Sequence, residues 1–254
     1  MTEVVALCVF AFLAGLVDAV AGGGGLIQVP ALFAVFPSLP PPILLGANKF
    51  SAITGTTIAA LRYSWSVPIK WRSVLPAAGV AGLGAVAGAK TVTLIDPVVL
   101  RPLLLLLLGG MAIYTLSRPK FGNNSEAVAP LKQGGGSFYA VTAVFGFYDG
   151  FFGPGAGSVM MFVLVRLFGH DFLSAAATTK VLNLATNFGA LVLFLVTGNV
   201  LYAIALPMAA FNVIGGFLGA HFAIRGGSRF IRTVFLVVVV ALIGKVLFDL
   251  LKSI

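Results

Sequence analysis

Hydrophobic positions run in long unbroken blocks along this chain, separated by short polar or proline-rich connectors. The first block, Val4 to Phe36, holds 33 residues and is interrupted at Gly22-Gly-Gly-Gly25. A straight helix of that length would measure about 50 Å, too long for one crossing of a hydrocarbon core of about 30 Å. The pattern therefore predicts a helix, a glycine break and a shorter helix from Leu26 to Phe36. Pro37-Ser-Leu-Pro-Pro-Pro42 follows as a stiff connector. Further spans are predicted at Ile43–Trp65, Val74–Val92 and Val98–Leu116. Ser117 to Gly136 is the one long polar stretch and reads as a linker. The order then recurs: a broken block from Phe138 to Phe168, then Phe172–Val196, Leu201–Ile224 and Phe230–Leu251.

The recurrence extends to individual residues. Asp18 and Asp149 lie 131 positions apart, as do Gly22 and Gly153, Gly24 and Gly155, Lys49 and Lys180, and Arg101 and Arg232. Leu75-Pro76 meets Leu206-Pro207, Gly84 meets Gly215, and Gly88-Ala89 meets Gly219-Ala220 without a gap. Apolar segments match by chance, but a shared Asp, Lys, Pro and Arg in one register mark an internal duplication. The expected architecture is an all-α integral membrane protein of two homologous halves, residues 1–116 and 137–254, joined by a linker at 117–136. Each half contains a glycine-broken helical hairpin, full or re-entrant, and three transmembrane helices.

Charge bears on orientation. The connection carrying Arg62, Lys70 and Arg72 is basic, whereas its counterpart Gly198-Asn-Val-Leu-Tyr202 is uncharged. After the third span the balance reverses: Lys90 and Asp96 nearly cancel, and Arg225, Arg229 and Arg232 do not. If basic connections lie inside, equivalent loops fall on opposite sides, which predicts an inverted repeat with both termini outside. Four simple crossings per half would make a parallel repeat instead.

Composition narrows the class. The chain is 59% hydrophobic and 9% charged with a mean hydropathy of +1.09, against about 25% charged residues in soluble domains. Few residues remain for a soluble catalytic domain. The net charge of +9 sits mostly at span ends, as cytoplasmic retention requires, so nucleic acid is not an expected partner. One cysteine, Cys8, excludes an internal disulfide and a thiolate metal cluster. The start, Met1-Thr2-Glu3, lacks a basic signal-peptide n-region, so the first block is expected to be retained. Neither a metal nor a cofactor is expected.

Candidate chemistry gathers around the two breaks. Irregular backbone at membrane depth is tolerated where protein or a polar cavity covers it. Gly22, Gly23, Gly24 and Gly25, with Gly153, Gly155, Gly157 and Ser158, would present the N-terminal ends of two half-helices to an anion. The alternative is that glycines only permit close helix packing, a reading that suits Gly79, Gly82, Gly84, Gly88, Gly215 and Gly219. Lys180, Asn183 and Asn187 share one helix face, as do Asn48, Ser51 and Gly55, with Lys49 and Thr179 beside them and Thr54, Thr56 and Thr57 nearby. Two amines with amides and hydroxyls suit an oxyanion. They also suit structural ion pairs, Lys49 with Asp18 and Lys180 with Asp149, and Lys49 is close enough to Pro42 to snorkel. Asp18 and Asp149 are candidate proton carriers, because a carboxylate removed from water favours its neutral form unless an amine holds it ionised. Bracing the glycine turn is the rival role. Gln28 is a weaker lining candidate, and His170 and His221, too few for a metal site, are expected at span ends. Gly153-Pro-Gly-Ala-Gly-Ser158 lacks the Lys-Ser/Thr end of a phosphate loop, and the Gly22 run opens no alternating strand–helix unit.

On these residues the chain resembles the sulfite exporter TauE/SafE family, the toluene-sulfonate-uptake permeases. The resemblance rests on Gly15-Leu-Val-Asp18 with Gly22 to Gly25, on Gly146-Phe-Tyr-Asp149-Gly150-Phe-Phe-Gly153-Pro-Gly155, and on Asn48-Lys49 and Thr179-Lys180. It implies a multi-pass carrier of the bacterial inner membrane that moves small sulfur-containing anions, such as sulfite or organosulfonates, and is not an enzyme. The expectation is an exporting secondary transporter, with substrate between the repeats, alternating access and protons as a candidate coupling ion. A passive anion channel is the alternative.

Overall fold

The structure, a computed structural model, describes residues 2–100, 102–104, 106–107 and 131–252, with side chains described within those ranges for residues 3–231, 233 and 234. Among the described residues only helices and their connections occur. They are α1 (Thr2–Ala21), α2 (Gly25–Val35), α3 (Pro41–Ser66), α4 (Trp71–Leu94), α5 (Gly136–Phe151), α6 (Ala156–Phe168), α7 (Phe172–Val196) and α8 (Tyr202–Lys252). Most of the expected span Val98–Leu116 and of the linker 117–136 lies outside the described residues. Helices α1, α4, α7 and the first part of α8 are long and apolar enough to cross a membrane; α2 and α6 are shorter apolar helices. Helix α3 has the length but carries the polar face containing Asn48, Lys49, Ser51 and Thr56, all buried.

Local chemistry sets the helix ends. Pro41 and Pro42 start α3 rather than belonging only to the connector, since the first turn has no partner for their missing N–H groups. Asp171 caps α7, accepting from the N–H groups of Leu173 and Ser174. The two expected spans at Leu201–Ile224 and Phe230–Leu251 form α8, which bends at Gly227, where φ is 61° and ψ is −166°.

The packing exchanges partners between halves. A Cβ on Gly215 or Gly219 of α8 would collide with the carbonyls of Phe12 and Leu16 on α1. At the equivalent places, a Cβ on Gly84 or Gly88 of α4 would collide with the carbonyls of Ala143 and Phe147 on α5. The paired positions rise together, so α1 runs parallel to α8 and α5 runs parallel to α4. Lipid supplies no hydrophobic drive between helices, and close backbone approach through small residues takes its place. The packing reading of these glycines holds except at Gly79, which has nothing within 4 Å of a would-be Cβ.

Each broken block folds as a hairpin. Helix α2 returns along α1: Gly24 lies against Ala14, and Leu32 shares a core with Leu7 and Ala11. Helix α6 returns along α5, ending where Phe138 and Phe168 meet edge to face. The α5–α6 hairpin opens at the end of the molecule where the Leu131 N–H bonds the Leu167 carbonyl and Gly134 touches Ser73. The α1–α2 hairpin opens at the other end, where α3 begins and Gly46 abuts Asn199 of the α7–α8 connection. The α3–α4 turn lies 20 residues beyond Gly46 along α3, about 30 Å away.

Candidate functional site

The hairpin tips meet inside the protein. Gly22 has φ 74° and Gly153 and Gly155 have φ 92° and 75°, the left-handed region that glycine enters without steric cost. The Ser158 N–H donates to the Gly22 carbonyl at 3.1 Å and the Ser158 hydroxyl to the Ala21 carbonyl at 2.7 Å. Tyr63 and Tyr148 hydroxyls brace the breaks by donating to the carbonyls of Ala19 and Pro154 at 3.0 and 2.8 Å. The two half-helix ends therefore differ from the free anion cradle expected from the sequence. The Ser158 amide is taken by the opposite hairpin, and the Gly24 N–H points at the Asp18 carboxylate at 3.4 Å. One of these donors is thus paired across the tips and the other within its own hairpin.

The four charged residues come together as predicted, but their pairing is crossed. Lys49 Nζ lies 2.9 Å from Asp149 Oδ1, and Lys180 Nζ lies 2.7 Å from Asp18 Oδ2. The expected pairs, Lys49 with Asp18 and Lys180 with Asp149, do not form. The reason is topological: α3 and α7 pack side by side at the centre, so each lysine reaches the hairpin of the other half. Snorkelling is also ruled out, since Lys49 and Lys180 are 2% and 1% exposed. Lys49 also donates to Asn187 Oδ1 at 3.1 Å, and Thr186 donates its hydroxyl to Asp149 Oδ2. Asn187 Nδ2 reaches Thr56 Oγ1 at 3.4 Å. These two residues occupy equivalent positions of the halves.

Around this network lies a polar cavity of about 30 Å³ lined by Asp18, Gln28, Asn48, Lys49, Asp149, Asn183, Asn187 and Asn212, with room for about two water molecules. Gly22, Gly24, Gly25, Gly153 and Gly157 supply backbone to its wall. Gln28 Nε2, Asn48 Oδ1 and Asn183 Oδ1 are buried in it without a partner, an arrangement that native interiors rarely leave outside functional sites. Ser51 and Thr179, also buried and unpartnered at their hydroxyls, are not among the lining residues, nor are Gly23, Gly155 and Ser158. Lys180 is not a lining residue but donates to Asp18, which is. Sequence reasoning missed Thr186 and Asn212. Asn212 donates to the Ala11 carbonyl at 2.9 Å and to Gln28 Oε1 at 3.2 Å. An amide in the middle of an apolar span was the available signal. No group of three or more potential metal ligands occurs among the described residues.

The two histidines lie apart from this centre. His221 lies six residues before the α8 bend at Gly227, with Nδ1 3.0 Å from the guanidinium of Arg62 near the end of α3, which in turn stacks over Phe217. His170 lies between α6 and α7, 3.0 Å from Gln133 Oε1. Burial, and then the nearby Lys70, lower its pKa from the ordinary value. Beside it, burial opposes ionisation of Asp171, but hydrogen bonds from Ser174, Ser228 and the Leu173 amide prevail and hold its carboxyl at about 2.

Crossed ion pairs at the contact of two broken hairpins carry the same residues that the family resemblance rests on. The profile of the sulfite exporter TauE/SafE family matches residues 7–246. The chain belongs to this family. Similar relatives include "Probable membrane transporter protein ORF9" of Sinorhizobium sp, 36% identical over 96% of this chain and 92% of the relative. A "Probable membrane transporter protein" of Haemophilus influenzae is 33% identical over 94% of this chain and 92% of its own length. "Probable membrane transporter protein YfcA" of Escherichia coli K12 is 32% identical over 94% and 87%. No solved structure matches. This TauE/SafE protein is thus a multi-pass membrane transporter and not an enzyme.

Proposed function

We propose that this TauE/SafE protein is a secondary transporter of the inner membrane that exports small sulfur-containing anions, sulfite or organosulfonates, by alternating access coupled to protons. The observation that carries this reading is the pair of buried lysines, each neutralised by a carboxylate of the opposite half, beside a cavity of unpartnered amides. An oxyanion can replace a carboxylate as the partner of a buried ammonium and accept from amide N–H groups. The cavity is too small for an organosulfonate, so the hairpin tips must part to admit one. Because the ion pairs join the two halves, exchange of a carboxylate for substrate ties loading to movement of the halves.

The same reading treats residues 1–116 and 137–254 as inverted repeats about the linker. The opposite openings of the two hairpins and the separation of the α3–α4 and α7–α8 connections favour it. The end carrying Lys70, Arg72, Lys132, Arg225 and Arg229 is then cytoplasmic, and an anion leaving the cell would enter between the α5–α6 hairpin and its neighbours.

The test is flux of sulfite and sulfoacetate in proteoliposomes, for wild type and Lys180→Ala, with and without a pH gradient. Saturable flux, steered by the gradient and lost in the variant, is the expected result. Unchanged flux in Lys180→Ala returns that lysine to a structural role, and absence of flux of both anions overturns the substrate assignment.

A further inference from the structure

Although the halves match in register, their two ion pairs are not equivalent. Asp149 has both oxygens engaged, one by Lys49 and one by the Thr186 hydroxyl, and its side chain is 7% exposed. Asp18 has Lys180 at one oxygen and the distant Gly24 N–H at the other, and its side chain is 22% exposed. The lysines differ in the same sense. Lys49 donates to Asp149 and Asn187, whereas the described hydrogen bonds of Lys180 number one, to Asp18, although an ammonium carries three donors. The cause is legible in the repeat. The position equivalent to Thr186 is Gly55, where a Cβ would collide with the Asn212 carboxamide. The first half therefore has no room for the hydroxyl that anchors the second carboxylate.

Resting on the proposed anion transport, we infer that Asp18–Lys180 is the working pair, which exchanges its carboxylate for a proton and a substrate anion, and that Asp149–Lys49 is a fixed strut between the halves. A proton from the cavity adds to the Asp18 carboxylate and makes it a neutral acid, and Lys180 stays an ammonium. A buried charge without a partner is strongly destabilising, so the anion takes the place that Asp18 vacates. The pair is neutral before, and Lys180, neutral Asp18 and a monovalent anion sum to zero afterwards. One proton therefore accompanies one anion, the loaded site carries no net charge across the membrane, and export runs down the anion's own gradient. The titratable groups facing Asp18 are Lys180 on α7 and Tyr63 on α3, close enough to feel its charge, with Lys49 and Asp149 across the cavity. Among the described residues, the α1–α2 break, α2 and α8 bring the neutral Gly24 N–H, Gln28 and Asn212.

The experiment compares wild type, Asp18→Asn, Asp149→Asn and Thr186→Val in proteoliposomes with sulfite as probe. Flux is driven either by a pH gradient or by a potassium diffusion potential. Wild type is expected to follow the pH gradient and ignore the potential. Asp18→Asn is expected to keep sulfite exchange, to lose the response to pH and to gain a response to the potential. Thr186→Val keeps pH coupling but melts lower in detergent, and Asp149→Asn keeps coupling in whatever folded protein is recovered. Uncoupling by Asp149→Asn or Thr186→Val, or pH coupling retained in Asp18→Asn, overturns the assignment. If wild type moves no sulfite, the substrate reading falls. The asymmetry is then decided by melting without sulfite: part of the pH dependence of the midpoint disappears in Asp18→Asn and persists in Thr186→Val, and the reverse pattern overturns it.

Discussion

Replacing Gly22 with alanine asks two things of the chain at once. The residue sits at φ 74°, where an L side chain costs about 1–2 kcal/mol. Its Cβ would also stand 2.7 Å from the Ser158 N and 2.8 Å from the Gly157 Cα. Those are backbone atoms of the opposite hairpin and cannot turn aside as a flexible side chain would. Forcing a methyl group into such a contact costs about 1–3 kcal/mol more, giving about 2–5 kcal/mol in total. At about 2–4 °C per kcal/mol for a chain of this size, the melting midpoint falls by roughly 5–20 °C. Cys8, the single cysteine and a buried one, supplies the assay: its reaction with a thiol-reactive fluorophore during heating in detergent reports unfolding. The control is Gly79→Ala. That glycine is helical with nothing within 4 Å of a would-be Cβ, so alanine should be neutral or stabilise by up to about 1 kcal/mol. Gly22→Ala melting level with Gly79→Ala would refute the contact between the hairpin tips.

The helix-packing glycines should behave as a matched set. Gly88→Ala and Gly219→Ala each drive a methyl group into a carbonyl, of Phe147 and Leu16, and each should cost about 1–3 kcal/mol in the same melting assay. A large effect at one and none at the other would contradict the exchanged packing. Asp171→Ala removes the α7 cap and should cost about 1 kcal/mol at neutral pH. Because the native carboxyl is held at about 2, below its unfolded value near 4, that stabilisation is complete above pH 4 and is lost as pH falls towards 2. The gap between wild-type and variant midpoints should narrow over that interval. For orientation, single cysteines in a Cys8→Ala background are informative. Ser38→Cys and Thr197→Cys should label from one side of sealed vesicles and Lys70→Cys and Arg229→Cys from the other; labelling of all four from one side would overturn the proposed topology.

Several features were legible in the sequence because they depend on local chemistry. The glycine breaks, the helices around them and the register of 131 between halves require only that apolar runs, backbone-permissive residues and repeated polar residues be read along the chain. The family membership followed from the same motifs. Asn48, Asn183 and Asn187 were placed on helix faces by spacing alone, and all three line the cavity.

The partners across the molecule were decided by tertiary structure. Sequence pairs Lys49 with Asp18 as readily as with Asp149, because spacing within a half says nothing about which hairpin the central helices touch. Only the side-by-side packing of α3 and α7 crosses the pairs. Thr186 and Asn212 escaped notice for the same reason: a hydroxyl or amide in an apolar span gains meaning from the group facing it, and here that group lies on a hairpin distant in sequence. At the half-helix ends expected from the glycine runs, the Ser158 N–H is engaged by the Gly22 carbonyl of the opposite hairpin and the Gly24 N–H by Asp18 of its own. Local propensity and hydropathy determine where a membrane chain crosses and where it breaks. Which buried charge neutralises which is set by long-range packing, because an ammonium removed from water takes the carboxylate that the fold brings within reach.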